Sequence, residues 1–223
     1  MVRHRAAPSF SKPSVDGILG AAERAFARRG YGETSLRQLV AEAGVSTTAF
    51  YARFESKEAV LQALVTALMT DLTTTAAAAL AEARNIQEGF EVGVDALVGV
   101  LSAHRTTVRL ALTEAASSAP IGAELRKAYG MLAQLMGGKL KRLVDRGEIE
   151  VPDADALAWA LVGALHMQVL RWAVFDDLDD EALSRALRAT ARTMLPAISR
   201  RSALGRTETK GGARRRPDAT KTH

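Results

Sequence analysis

The chain has 223 residues, of which 5% are aromatic and 25% charged, and it contains no cysteine. It is long enough to bury a core as one large or two small domains, and its Ala- and Leu-rich composition favours helix. Disulfides, thiolate catalysis and Cys-ligated zinc are excluded, which fits a cytoplasmic location.

Residues 1–13 carry Arg3, Arg5 and Lys12 with no acid and no apolar run of the kind a secretory signal needs. They are expected to form a flexible basic arm. From Ser14 to Gly30, Ile18, Leu19, Ala22, Ala25 and Phe26 recur with helical spacing, with Ser14 as N-cap and Gly30 as C-cap. A second helix follows the "YGET" turn, with Leu36, Leu39, Val40 and Ala43 inward and Gly44 at its end. Ser46 caps a short third helix to about Phe54, and Ser56 caps a long fourth reaching about residue 84. Three short helices with a glycine turn between the second and third have the layout of a helix-turn-helix.

Further helices are expected near 88–103, 105–118, 121–146, 154–175 and 180–199, separated by "SSAPIG", "DRGEIEVPDAD" and "FDDLDDE". The most apolar long stretch, residues 156–170, is shorter than the roughly 20 residues a membrane span requires and holds His166 and Gln168. It reads as a buried helix, so no membrane partner is expected. Residues 200–223 hold eight Lys/Arg against Glu208 and Asp218, are aperiodic, and are expected to be a disordered basic tail. Residues 14–58 carry six charges of each sign. The basic excess thus sits in the two ends and does not reveal a binding face.

The third helix carries the most informative pattern. Phe50 and Phe54 face inward with Val45, which leaves Thr47, Thr48, Tyr51 and Ala52 outward. Small and hydroxylated side chains at a helix N-terminus suit the DNA major groove. Tyr51 and Arg53 lie one turn on, at the level of the phosphates. Lys57 opens the next helix, where its ammonium and the free backbone N–H groups can meet a phosphate together. A three-helix unit with an aromatic core and a polar outside has the same pattern for structural reasons alone, and spacing does not separate the two readings.

Residues 18–65, "ILGAAERAFARRGYGETSLRQLVAEAGVSTTAFYARFESKEAVLQALV", resemble the DNA-binding domain of tetracycline-repressor (TetR) family regulators. The resemblance rests on Phe26, Gly30-Tyr31, Thr34-Ser35-x-Arg37, Ala43-Gly44-Val45-Ser46, Phe50-Tyr51-x-x-Phe54 and Ser56-Lys57-Glu58. It implies base contacts near Thr47, Thr48 and Ala49, phosphate contacts from Tyr51 and Lys57, and an approach to DNA by Arg37. Thr34, Ser35, Ser46 and Arg53 complete the candidate DNA-binding set. The family often has Gly where this chain has Thr48, and His or Tyr where it has Arg53.

The resemblance further implies an all-α fold of about nine helices: a helix-turn-helix domain over 14–60, then an effector-binding and dimerisation domain over 61–199. The implied partners are double-stranded DNA with a palindromic operator, a second copy of the chain, and an unidentified small-molecule effector. The effector candidates are His104, Arg109, Met131, Gln134, Leu135, Trp159, His166 and Met167, on or beside apolar helix faces together with Tyr129. Taken singly, each of them is better explained by ordinary core packing. Trp172 is a further candidate for the dimer interface, as are Leu161, Leu165, Leu183, Leu187 and Leu195.

No cofactor, metal site or catalytic residue is expected, since the four histidines are scattered and no nucleophile motif or phosphate-binding glycine loop occurs. The expected function is a homodimeric repressor released by a small, largely apolar ligand. The alternatives are an activator without an effector and an architectural DNA binder with little sequence preference.

Overall fold

The computed structural model describes residues 14–82, 86–147 and 149–194. The basic arm, the basic tail and Leu195 lie outside the described residues. Among those described, the architecture is all-α: α1 (Val15–Arg29), α2 (Leu36–Ala43), α3 (Thr47–Tyr51), α4 (Lys57–Glu82), α5 (Ile86–Ala103), α6 (Arg105–Glu114), α7 (Ala119–Asp145), α8 (Ala154–Ala173) and α9 (Asp180–Met194).

Local chemistry sets the first four boundaries. Ser14 Oγ accepts from Gly17 N at the start of α1. Ser35 and Gln38 form a reciprocal capping box on α2, and Ser46 Oγ accepts from Ala49 N to start α3. Gly44 ends α2 at φ 63°, a left-handed conformation in which a Cβ would be strained. The third helix is shorter than its sequence suggests. It stops at Tyr51, and Ala52 and Arg53 continue as a turn bonded back to Thr48 and Phe50.

Phe50, fully buried, anchors α3 against Ile18, Ala22, Phe26, Leu39, Phe54, Val60 and Leu64. This cluster is the core of the head. The long α4 then passes from that core into the body. Leu61 and Val65 pack with Ala111, Ile121 and Leu125 of α6 and α7, and Leu68 with α5, α6, α8 and α9. By length and composition α4 could cross a membrane, yet its apolar side chains are distributed over these clusters.

The body departs from expectation on α8 and α9. Trp172 is fully buried within the protomer, with Nε1 donating to Asp180 Oδ1 at 2.8 Å and the Arg105 guanidinium over its ring at 4.8 Å. Leu161, Leu183 and Leu187 are likewise buried in the protomer's own core. The apolar side chains left outside on α8 are Trp159, 52% exposed, and Met167, 48% exposed. They lie eight residues apart on one helix face, with Gly163 halfway between them.

Truncating the single buried side chain of α3 tests this account of the head. Phe50→Ala should cost about 3–5 kcal/mol in thermal or urea unfolding and should abolish DNA binding with it.

Candidate nucleic-acid interface and effector cavity

With Phe50 inward, α3 turns Thr47, Thr48 and Tyr51 to solvent, with Ala49 partly covered and Tyr51 50% exposed. Arg37 on α2 and Arg53 after α3 are also exposed. Among the described residues, the side chains of Arg37, Thr47, Thr48 and Arg53 make no hydrogen bond or ion pair. They form an unoccupied polar surface around the α3 N-terminus. Ser35 and Ser46 are exposed but occupied as helix caps.

Two of the sequence candidates sit elsewhere. Thr34 is buried, and its hydroxyl donates to Gly30 O at 2.7 Å, closing the turn between α1 and α2. Lys57 Nζ donates to Tyr31 O at 2.7 Å and Gly32 O at 3.2 Å and lies 4.4 Å from the Tyr31 ring centroid. In the free protein its ammonium therefore fastens the α1–α2 turn to α4.

A second feature lies inside the body. A cavity of about 170 Å³, partly open to solvent, lies among α4 to α9, its walls including Met69, Leu72, Val94, Leu101, Val108, Leu112, Leu132, Leu165 and Val169. Among the described residues that line it, only Thr73, Tyr129 and His166 carry side-chain oxygen or nitrogen. The Thr73 hydroxyl is used by Met69 O at 2.8 Å. Tyr129 Oη and His166 Nδ1 are 2.7 Å apart, with the rings edge to face at 5.2 Å between centroids. Burial pushes the Tyr129 phenol up to about 12 and holds His166 below its ordinary value, so both are neutral near pH 7.

The structure thus brings His166 and Tyr129 together and disperses the other effector candidates. Met131, Gln134 and Leu135 line an open groove between α4 and α7, with Arg142 at its edge and Thr73 shared with the cavity. Trp159 and Met167 line neither. Arg109 donates to Ala173 O and to Asp176 Oδ2, which places it at the end of α8.

His104 belongs to a contact that sequence reasoning missed. Its Nδ1 lies 2.9 Å from Glu23 Oε2, and Thr107 Oγ1 donates to Glu23 Oε1 at 2.6 Å. These two bonds tie α6 to α1. Among the described residues no cluster of three His, Asp or Glu side chains is placed to hold a metal.

Residues 18–64 match the model of the bacterial regulatory proteins of the tetR family. No curated protein matches the chain. Several solved structures share its fold. FadR from Bacillus subtilis, in complex with stearoyl-CoA, is 18% identical with a TM-score of 0.70, covering 83% of this chain and 100% of its own. A TetR-family transcriptional regulator from Syntrophomonas wolfei is 20% identical with a TM-score of 0.69, covering 81% and 93% respectively. PfmR, a TetR-family regulator from Thermus thermophilus, is 21% identical with a TM-score of 0.65, covering 80% and 97%.

Two measurements check the geometry described. Tyr51→Ala should leave stability within about 0.5 kcal/mol while weakening DNA binding, whereas Lys57→Met should lose about 1–2 kcal/mol of stability by thermal unfolding. His166, whose folded pKa is depressed, gives a pH dependence of definite sign. The unfolded chain takes up a proton below about pH 6.5 that the folded one resists, so stability falls as pH drops from there toward the folded pKa. In a pH series of melting curves, His166→Leu should reduce that fall.

Proposed function

We propose that this chain, whose residues 18–64 match the tetR-family model, is a DNA-binding transcription regulator of that family, a homodimeric cytoplasmic repressor that leaves a palindromic operator when a small, largely apolar ligand enters the cavity. The reading is carried by the position of α6. Val108, Ala111 and Leu112 line the cavity, and Thr107 and His104, on and beside the same helix, hold Glu23 of α1. Leu110 of α6 also packs against the core of the head. Any ligand that displaces α6 therefore acts on the helix from which the reading head is built, which is the physical requirement for coupling two sites.

At the DNA, Thr47, Thr48 and Ala49 approach base edges from the α3 N-terminus, and Tyr51, Arg53 and Arg37 approach phosphates. Lys57 supports them by fixing the turn, and it would have to release Tyr31 O and Gly32 O to touch a phosphate itself. The dimer uses the outer face of α8, where Trp159 and Met167 are exposed, together with the adjacent α9. A two-fold axis through that face presents two copies of α3 to successive major grooves, so the operator is a palindrome. A largely apolar effector fits the lining of the cavity. FadR from Bacillus subtilis, with the same fold, accommodates stearoyl-CoA.

The test combines light scattering with selection of binding sites from random DNA. Dimer mass at micromolar concentration and a selected palindrome are expected. Trp159→Glu should give a folded monomer whose affinity for that palindrome is at least tenfold lower. A wild-type monomer that binds one unrepeated site, or a Trp159→Glu variant that remains a dimer, contradicts the proposal.

A further inference from the structure

The size and polarity of the cavity specify its ligand more narrowly than "largely apolar". Resting on the reading of the cavity as the effector site, we propose that it takes a compact, uncharged molecule of about one ring carrying a single hydroxyl or carbonyl oxygen. The pair Tyr129–His166 recognises that oxygen.

Volume sets the first limit. An apolar cavity of about 150 Å³ accommodates benzene. At about 170 Å³ this one has room for a ring with two or three further heavy atoms. A long acyl chain would require the helices to part.

Charge sets the second limit. Among the described residues no Lys, Arg, Asp or Glu lines the cavity, and Tyr129 and His166 are the titratable groups there. A carboxylate or ammonium entering would lose its water without meeting an opposite charge, at large cost.

Hydrogen counting sets the third. A neutral phenol and a neutral imidazole hold two polar hydrogens between them, and their mutual bond consumes one. If Tyr129 donates to Nδ1, the Nε2–H of His166 remains; if Nδ1–H donates to Tyr129, the phenol hydrogen remains. Among the described residues neither group has another hydrogen-bond partner. One donor is therefore left over in either tautomer, in a site where the one other polar side chain among the described residues, Thr73, donates to Met69 O. A ligand oxygen that accepts this hydrogen satisfies the pair, and a hydrocarbon of the same shape leaves it unpaired.

The experiment uses the full-length protein without DNA and three probes of matched shape: 4-ethylphenol, ethylbenzene and 4-ethylbenzoate. Affinities are read by ligand-observed NMR at pH 7.5. At pH 7.5 4-ethylphenol should bind roughly fivefold or more tighter than ethylbenzene, and 4-ethylbenzoate should not bind measurably. The double variant Tyr129→Phe/His166→Leu, which removes both donors, should shrink the difference between phenol and hydrocarbon to under about twofold while retaining ethylbenzene, which shows that the cavity is intact. Preference for 4-ethylbenzoate, a preference for the phenol that persists in the double variant, or failure of all three probes to bind overturns the proposal. A phenol that binds as described yet leaves DNA affinity unchanged upholds this chemistry and removes the effector role instead.

Discussion

Glu23 is the point on which the arrangement turns. Its carboxylate lies on α1, within the head, and is held by Thr107 of α6 and by His104 immediately before that helix. Glu23 and Thr107 are 84 positions apart in sequence, so the bonds are a feature of the tertiary fold alone. The contact is partly buried, where a charge-assisted hydrogen bond keeps more of its strength than at the open surface. It fixes the angle at which the head sits on the body, and through α1 and its shared core with Phe50, the direction in which α3 points.

The opposite side of α6 is held as firmly. Arg105 and Arg109 donate to the carbonyls of Trp172 and Ala173 and to the carboxylate of Asp176, which sits at φ 56° just beyond α8. A non-glycine residue at positive φ is uncommon, and here two guanidinium groups occupy its side chain. The arginines thereby satisfy carbonyls that the end of α8 would otherwise leave open. A helix bonded at both sides and facing a cavity along its length transmits displacement as a rigid piece. In the proposed function this is how an apolar cavity would act on the polar surface of the head.

Much of the head was legible in the sequence because its determinants are local. Ser14, Ser35 with Gln38, Gly44 and Ser46 act within a few residues of themselves, and the Phe50–Phe54 spacing fixes which side of α3 faces out. The one local misreading, the extension of α3 to Phe54, arose because the turn through Ala52 and Arg53 keeps helical hydrogen bonds after the helix ends. The body was less legible. The Leu and Val residues of the cavity wall are indistinguishable in sequence from core residues, since what separates them is a gap and not a residue type. Trp159 and Trp172 exchanged their expected places, one outside and one buried, because both satisfy the same helical periodicity. Tyr129 and His166 meet across 37 positions, and Glu23 carried no signal beyond being an acid on a partly inward helix position.

A thermodynamic cycle on DNA affinity tests most directly whether the contact at Glu23 couples cavity to head. Leu132→Phe on α7 fills part of the cavity, and Glu23→Gln weakens the hold on α6. Leu132 packs against the core of α7 and α8, whereas Glu23 bonds to His104 and Thr107. Independent sites add within about 0.3–0.5 kcal/mol. The account predicts that Leu132→Phe alone lowers affinity for the selected operator and that Glu23→Gln suppresses most of this effect, giving a coupling energy clearly above that limit. Additive effects, with the loss caused by Leu132→Phe unchanged in the Glu23→Gln background, would contradict it.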